Sequence, residues 1–372
     1  MRVLGEAPRY ADETITTLTR LLAAHEGVAD SQIVIGTGSG ELLRVAGLLA
    51  VTAAPGSELV ASKPTYEELP RFAERLGLKV RWVAPDSGHR HDLSAMRSAI
   101  TDSTSLVYVC NPNNPTGTAV SRAALERFAR SVPAHCTVIV DEAYIDFIDR
   151  PGFETAAGLV KDVPNMIVLR TFSKIHGLAG LRVGYSISPE ALGQRFAGLS
   201  LTWPNTTGIS AAIASFNDPV FLKTTREALV GDRTRVHAAL DRMGVKRADA
   251  MGNFVFFDTG APLKRFQERM LAEGINPALI ENAGKMTGMP MPPLALSDEV
   301  ALDLIHKVQS QTAKDLGAAY KPTGIESLVE AMVVKHGRLG KKAGKGFYEY
   351  PADGKKHLWA GLSDLAPSAT GA

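Results

Sequence analysis

The sequence predicts an α/β protein built on a largely parallel sheet that is covered on both faces. Two observations carry that expectation. From Ile33 to Ile187 short β-rich runs alternate with amphipathic segments, the order expected of strand–helix–strand units. The runs are also nearly all apolar, the mark of strands buried on both sides. Predicted strands fall at 33–35, 58–61, 79–83, 106–110, 137–140, 166–169 and 183–187. Helical patterns lie between them, as at 39–51 and 121–132, where Ser39 and Ser121 suit the N-cap because their hydroxyls accept from unpaired N–H groups. In such sheets ligands sit outside the carboxyl ends of the strands. Polar residues just past strand ends are therefore the candidates for chemistry.

After Asp218 the texture changes. Residues 222–243 read as a long helix, 254–258 as a strand, and 263–273 as a helix stopped by Gly274, the beginning of a smaller domain. Beyond Asn276 come short helices and Gly/Pro turns. Ala301, Leu304, Ile305 and Val308 recur at helical spacing, as do Ile325, Leu328, Val329 and Met332, and each set predicts a core-facing stripe. The small, polar tail after Leu365 reads as disordered. A chain of 372 residues has room for two or three such units. Its net charge of +2 creates no long-range field, which argues against a nucleic-acid partner. The longest mainly apolar stretch, 42–54, is interrupted by Arg44 and is too short for a membrane span. Cys110 and Cys136 lack metal-ligand spacing and fit a reduced, cytoplasmic setting.

Four motifs follow predicted strands. Thr171-Phe172-Ser173-Lys174 puts a lysine just past an apolar run, and Gly180-Leu181-Arg182-Val183-Gly184 adds an arginine eight residues later. Upstream stand Asn111-Pro112-Asn113-Asn114-Pro115-Thr116-Gly117 and Val140-Asp141-Glu142-Ala143-Tyr144. Each alone has a bland reading: a solvated lysine, a proline turn, an aspartate capping the next helix. Gly36-Thr37-Gly38-Ser39-Gly40-Glu41 leads a strand into a helix with residues small enough for backbone N–H groups to approach an anion. A dinucleotide fingerprint is the rival, but Glu41 stands where its last glycine belongs.

Together and in this order, the motifs resemble the fold-type I pyridoxal-phosphate (PLP) aminotransferases. The likeness is greatest to the histidinol-phosphate aminotransferase branch and its threonine-phosphate decarboxylase relatives, over about residues 9–274. The resemblance implies a fold-type I large domain and PLP as cofactor. It also implies transfer of an amino group between an amino acid or amino-alcohol phosphate and 2-oxoglutarate, in amino-acid biosynthesis. By the same resemblance Lys174 forms the Schiff base and shuttles the proton, a role that suits a lysine whose pKa falls on desolvation. Asp141 pairs with the pyridine nitrogen, Asn114 and Tyr144 hydrogen-bond the ring's phenolic oxygen, and Tyr66 stacks on the ring. Ser39, Gly40, Ser173 and Arg182 form the phosphate cradle. Arg9-Tyr10-Ala11-Asp12 resembles a segment whose tyrosine reaches the neighbouring subunit's cofactor, implying through Tyr10 a homodimer with shared sites; a surface turn is the alternative. Asn253, in Gly252-Asn253-Phe254, is a candidate substrate contact, whereas His176 reads as a packed or surface residue.

Two departures leave other readings open. The amino-terminal arm is absent or cut to eight residues, and the carboxyl half of the small domain, with the arginine that grips a substrate carboxylate, does not arrive. After Asn253 the arginines are Arg265, Arg269 and Arg338. A catalytically impaired PLP-binding or oligomerising fusion and a PLP-dependent decarboxylase therefore stand as alternatives. From about Asn276 the chain resembles the C-terminal domain of 3-hydroxyacyl-CoA dehydrogenases, through Asn276-Pro277-Ala278-Leu279, Gly288-Met289-Pro290-Met291 and Lys345-Gly346-Phe347-Tyr348. That implies an appended helical domain, an accessory role in fatty-acid oxidation, and an acyl-CoA contact along the basic run from Arg338 to Lys345, against a solvated glycine-rich turn. The expected division is an N-terminal arm and helix (1–29), a PLP-binding large domain (30–215), a truncated α+β small domain (216–275), a helical domain (276–366) and a disordered tail (367–372). The join near 274–276 reads equally as natural, engineered or artefactual.

Overall fold

The computed structural model describes residues 10–258, 293–317, 320, 326–351 and 353–365. The predicted helix at 263–273, Arg265 and Arg269, the junction at 274–276, the motifs from Asn276 to Met291, Ile325 and the tail at 367–372 lie outside the described residues. The chain forms two compact units, Met1–Asp258 and Thr259–Ala372.

The first unit is organised by a seven-stranded sheet: β1 Ile33–Gly36, β2 Glu58–Ser62, β3 Lys79–Val83, β4 Thr104–Cys110, β5 Thr137–Asp141, β6 Met166–Thr171 and β7 Gly184–Ile187. Their order is β1-β7-β6-β5-β4-β2-β3. Only β7 runs antiparallel to its neighbours; the remaining pairs are parallel. Each of the seven predicted runs is a strand. β4 begins two residues early because Thr104 and Ser105 are buried, the latter with its hydroxyl 2.6 Å from that of Ser57.

Alternation along the strands builds two different cores. Val60, Val107, Val109, Val138, Val140 and Val168 face one side, where Leu18 and Leu22 of α1 (Asp12–Glu26) pack with Leu125 and Phe128 of α5 (Arg122–Ser131). Leu59, Leu106, Tyr108, Ile139 and Leu169 face the other, against Leu42, Leu43 and Leu49 of α2 (Ser39–Ala53) and Leu69 of α3 (Glu68–Arg75). β-branched valines line one face and longer side chains the other. On the valine face a buried polar cluster ties α1 to the sheet. Arg170 lies 2.8 Å from Asp146, 3.5 Å from Glu142 and 3.8 Å from Glu26, and Tyr185 donates to Glu26 at 2.9 Å.

The chain continues through α4 (Leu93–Ser98), α6 (Glu190–Ala197), α7 (Thr206–Phe216) and α8 (Pro219–Arg242). Three local expectations are corrected. Ser121 caps α5, accepting from Ala124 N at 3.3 Å, but Ser39 is the first residue of α2 and not its cap. Gly38 holds that place at φ 86°, a left-handed turn that carries β1 sharply into the helix. The predicted strand at 254–258 is only an isolated bridge between Arg247 and Phe257, because the Phe254 ring turns inward to pack on Tyr144. α8 begins earlier than the apolar pattern indicates, since Pro219 is tolerated in its first turn and Asp218 caps it at 2.9 Å. The buried Arg233 of α8 donates to Phe147 O, Met251 O and Gly252 O at 3.1, 2.7 and 3.0 Å, and pairs with Asp149 at 2.6 Å.

The second unit contains α9 (Pro293–Val300), α10 (Leu302–Leu316), α11 (Glu326–Glu330) running on into a π-helical turn, a ribbon of β8 (Tyr348–Glu349) with β9 (His357–Leu358), and α12 (Leu362–Leu365). Leu294, Leu302, Leu328, Val329, Met332 and Phe347 make its core. The stripe expected on α10 is shifted. Ala301 sits before the helix at φ 82°, Leu302 and Ile305 face the core, and Leu304 and Val308 are about half exposed. Buried Asp298 accepts from Phe347 N (2.7 Å), Tyr348 N (2.9 Å) and Tyr350 Oη (3.0 Å). Arg338 pairs with Glu349 at 2.7 Å and stacks 4.3 Å from the Trp359 ring centre. Lys341 pairs with Glu299, and Lys342 with Asp303 at 2.7 Å.

Backbones approach closely at Gly184, between β1 and β6. A Cβ there would lie 2.6 Å from Ser39 N and 2.9 Å from Arg170 O. Gly184→Ala is expected to destabilise the protein by about 1–3 kcal/mol, the usual range for overpacking against backbone. Urea unfolding measures this; an unchanged midpoint would show that the neighbouring backbone yields without cost.

Candidate active site

Because β1, β2, β4, β5 and β6 run parallel, their carboxyl ends meet at one sheet edge, and the antiparallel β7 starts there. The four motifs are the segments leaving that edge. Asp141 ends β5 and lies beside Cys110, the last residue of β4, on the face that carries Ile139 and Tyr108. Its buried carboxylate accepts from Tyr108 Oη at 3.1 Å and from Ala143 N at 3.1 Å. Burial pushes the carboxyl up to about 6, while the Ala143 amide, the Tyr108 phenol and the charge on Lys174 hold it down.

Lys174 stands three residues beyond β6, with Nζ 5.1 Å from the centre of the Tyr144 ring. By surface area the side chain is open to solvent, yet enough wall surrounds the amine for desolvation to lower its pKa. Arg182 pushes the same way and Asp141 opposes. The Tyr144 hydroxyl accepts from Asn114 Nδ2 at 3.2 Å, and its ring meets Phe254 edge-on at 4.9 Å. Burial raises its phenol, with Cys110 and Asp141 adding to the effect. Tyr66 is 40% exposed; burial raises its phenol too, followed by Glu68 and Asp141. Loops 64–66 and 111–117 are joined through Asn113, which accepts from Thr65 Oγ1 at 2.8 Å and donates to Pro64 O at 3.1 Å and Thr116 Oγ1 at 2.9 Å.

Ser39, Gly40, Ser173 and Arg182 come together at the start of α2. The Arg182 guanidinium lies against Gly38, in space that a Cβ on Gly38 would occupy. It donates to Ala179 O at 2.9 Å, to Ser173 Oγ at 3.4 Å and to Thr37 O at 3.4 Å. The first amides of α2 have no partner within the helix, so an arginine and free N–H groups converge where an anion is favoured. Tyr10 is not part of this group: it is 83% exposed and meets Trp203 edge-on at 6.2 Å. Asn253 is exposed, next to the Phe254 that touches Tyr144. His176 is half-buried, 2.9 Å from Ser215 Oγ and 4.5 Å from the Phe172 ring. Among the described residues there is no cluster of metal-ligating side chains and no helix long and apolar enough to cross a membrane. A cavity of ≈ 650 Å³ lies at the opposite sheet edge, lined by Ser57, Ser105, Thr137 and Asn165, and holds none of the predicted residues.

Sequence reading did not find Tyr108, Asn113, Glu41 or Arg233. A signal existed for two of them: Tyr108 interrupts an aliphatic strand, and Glu41 sits in an otherwise apolar helix face.

Residues 6–282 match the family model for aminotransferase class I and II. The chain belongs to that family. Residues 254–350 also match the C-terminal domain of 3-hydroxyacyl-CoA dehydrogenase, so the two matches overlap at 254–282. An aromatic amino acid aminotransferase of Rhodococcus jostii is 38% identical over 73% of this chain and 75% of its own length. A histidinol-phosphate aminotransferase of Moorella thermoacetica is 36% identical over 72% and 69%. Among solved structures, histidinol-phosphate aminotransferase from Sinorhizobium meliloti, in complex with pyridoxal-5'-phosphate, superposes with a TM-score of 0.64 at 28% identity, covering 73% of each chain. The large domain is therefore that of the fold-type I enzymes, and this family member is a PLP-dependent aminotransferase.

The residues at the sheet edge fit that cofactor. An arginine and free amides suit a phosphate, a buried carboxylate short of positive charge suits a protonated ring nitrogen, and a lysine with lowered pKa suits an aldehyde. The Asp141 environment has a testable consequence. Its folded-state carboxyl titrates above the usual 3.8, so its stabilising contribution is complete below that value and is lost as pH rises through about 6. Asn mimics the protonated form. In cofactor-free protein Asp141→Asn is expected to be more stable than the parent by about 3 kcal/mol above pH 7, with the gap closing at pH 4. Urea unfolding across that range checks it, and parallel stability curves would contradict it.

Proposed function

We propose that this aminotransferase is of the histidinol-phosphate or aromatic type, moving an amino group from an amino acid or amino-alcohol phosphate to 2-oxoglutarate through Lys174. The observation that carries the reading is the approach of the Lys174 amine, the buried Asp141 carboxylate and the Arg182 guanidinium to one sheet edge. Similarity to both the aromatic and the histidinol-phosphate enzymes supports it.

Bound PLP supplies an aldehyde that captures primary amines and a ring that draws electrons from the carbon bearing the nitrogen. Arg182, Ser173 and the amides of Ser39 and Gly40 would hold its phosphate. Asp141 would accept a hydrogen bond from the ring nitrogen and keep the proton there. Asn114 and Tyr144 would donate to the phenolic oxygen, and Tyr66 would cover one ring face. Lowering of the Lys174 pKa by burial and by Arg182 leaves more neutral Nζ near neutrality. Lys174 is thus the amine that would hold the aldehyde, and the same Nζ would carry the proton at the substrate's Cα. Asn253 contacts the substrate beside Phe254. Tyr10 contributes to the partner site of a homodimer, and the enzyme works in the cytoplasm. The domain division at 30–215, 216–275 and 276–366 is part of the same reading, as is a fusion near 274–276.

A second reading rests on Arg338, the only arginine after Asn253 among the described residues. It is buried in the second unit and engaged by Glu349, Gly346 O and Tyr348 O. An enzyme relying on it for the substrate carboxylate would hold cofactor yet transaminate poorly. The pairing of Lys341 and Lys342 with Glu299 and Asp303 weighs against an acyl-CoA contact.

Addition of PLP to the cofactor-free protein is expected to give a new visible absorption band that Lys174→Ala abolishes. A band that persists in the variant would remove Lys174 from its role. Stoichiometric conversion of bound cofactor to its amine form by an amino acid supports the first reading over the second.

A further inference from the structure

We infer that Glu41 is the positioning residue of the anion cradle, clamping residues 200–202 onto Thr37 so that Thr37 in turn orients Arg182. The inference rests on the cofactor reading of this edge. Glu41 is only 8% exposed, and a carboxylate so placed must be hydrogen-bonded throughout. One oxygen accepts from Thr37 N at 2.5 Å and from Thr37 Oγ1 at 2.9 Å. The other accepts from Leu201 N at 3.0 Å, Thr202 N at 2.9 Å and Ser200 Oγ at 3.3 Å. The Thr37 and Thr202 hydroxyls are themselves 2.7 Å apart. Burial raises the Glu41 carboxyl, but the hydrogen bonds from Thr37, Thr202 and Leu201 outweigh it and leave the group below its ordinary range.

Glu41 lies in the first turn of α2, where a negative charge is favoured, yet it faces away from the ligand's space into loop amides. It occupies the Thr37 N–H and leaves those of Ser39 and Gly40 for a bound anion. The Thr37 carbonyl, held from behind, accepts from Arg182 Nη2. Glu41 therefore reaches the phosphate only through Thr37 and Arg182, and it fixes the segment that leads into the exposed Trp203.

Glu41→Gln keeps the size but turns an NH₂ group toward one of two sets of N–H donors. Binding of PLP and of pyridoxal, which lacks the phosphate, is measured on the full chain, together with amide exchange at 200–202 without ligand. PLP affinity is expected to fall about tenfold, pyridoxal affinity to stay as in the parent, and Leu201 and Thr202 to exchange faster. Equal losses for both ligands, or unchanged exchange, would overturn the inference. Should Glu41→Gln fail to fold, Thr37→Val removes only the hydroxyl and is expected to show the same selective loss, smaller in size; no selectivity there overturns it as well. Failure of the parent protein to bind either ligand would defeat the cofactor reading, whereas unprotected Leu201 and Thr202 amides in the parent would defeat the clamp itself.

Discussion

A carboxylate at the end of a strand covered on both faces has no route to bulk water, and the site is arranged around that constraint. Asp141 and Glu142 are successive residues, so the pleat sends them to opposite faces. Glu142 meets Arg170, the Thr155 hydroxyl at 2.6 Å and the Ala156 amide at 2.6 Å, and burial still pushes its carboxyl up to about 7. Asp141 has one phenol, one amide and no bonded cation. One acid is satisfied by its own protein and helps to fix α1; the other is left wanting positive charge where a ligand can provide it. The lowered Lys174 pKa and the crowded Arg182 follow from the same geometry, because the strand ends deliver all three groups to one edge.

Much of this was legible because buried parallel strands leave a simple record. Seven apolar runs marked seven strands, and the polar residues at their ends marked the edge that carries Lys174, Asp141 and Asn114, with Arg182 just before β7. What was illegible depends on contacts between distant segments. Nothing in local spacing tells that Tyr108 reaches across to Asp141, or that Asn113 holds the Tyr66 loop. Ser39 looked like a cap because its hydroxyl suits one, but the φ of Gly38 moved the boundary by a residue. Phe254 looked like strand because it is aromatic, and a tertiary contact with Tyr144 took it out of the ladder. On α10 the periodicity was right and the phase wrong, since Ala301 precedes the helix.

The carboxyl-terminal unit disposes of its charges in a different way. Asp298 gathers the turn before β8 by accepting two amides and a phenol. Arg338 closes the ribbon through Glu349, two carbonyls and the face of the Trp359 ring. Lys341 and Lys342 answer acids on α9 and α10. Three of the basic residues between Arg338 and Lys345 are thus paired with acids of their own unit, two of them while still about half exposed.

Arg233 links the two parts of the first unit more firmly than their separation in sequence suggests. Four of its contacts end on residues that precede or follow α8, at Phe147, Asp149, Met251 and Gly252. Those residues flank Tyr144 on one side and Phe254 on the other. A shortened version of the protein ending before α8 would keep every strand of the sheet but lose the brace behind the aromatic wall. Any dissection of this chain into minimal parts should accordingly keep residues 219–254 with the sheet.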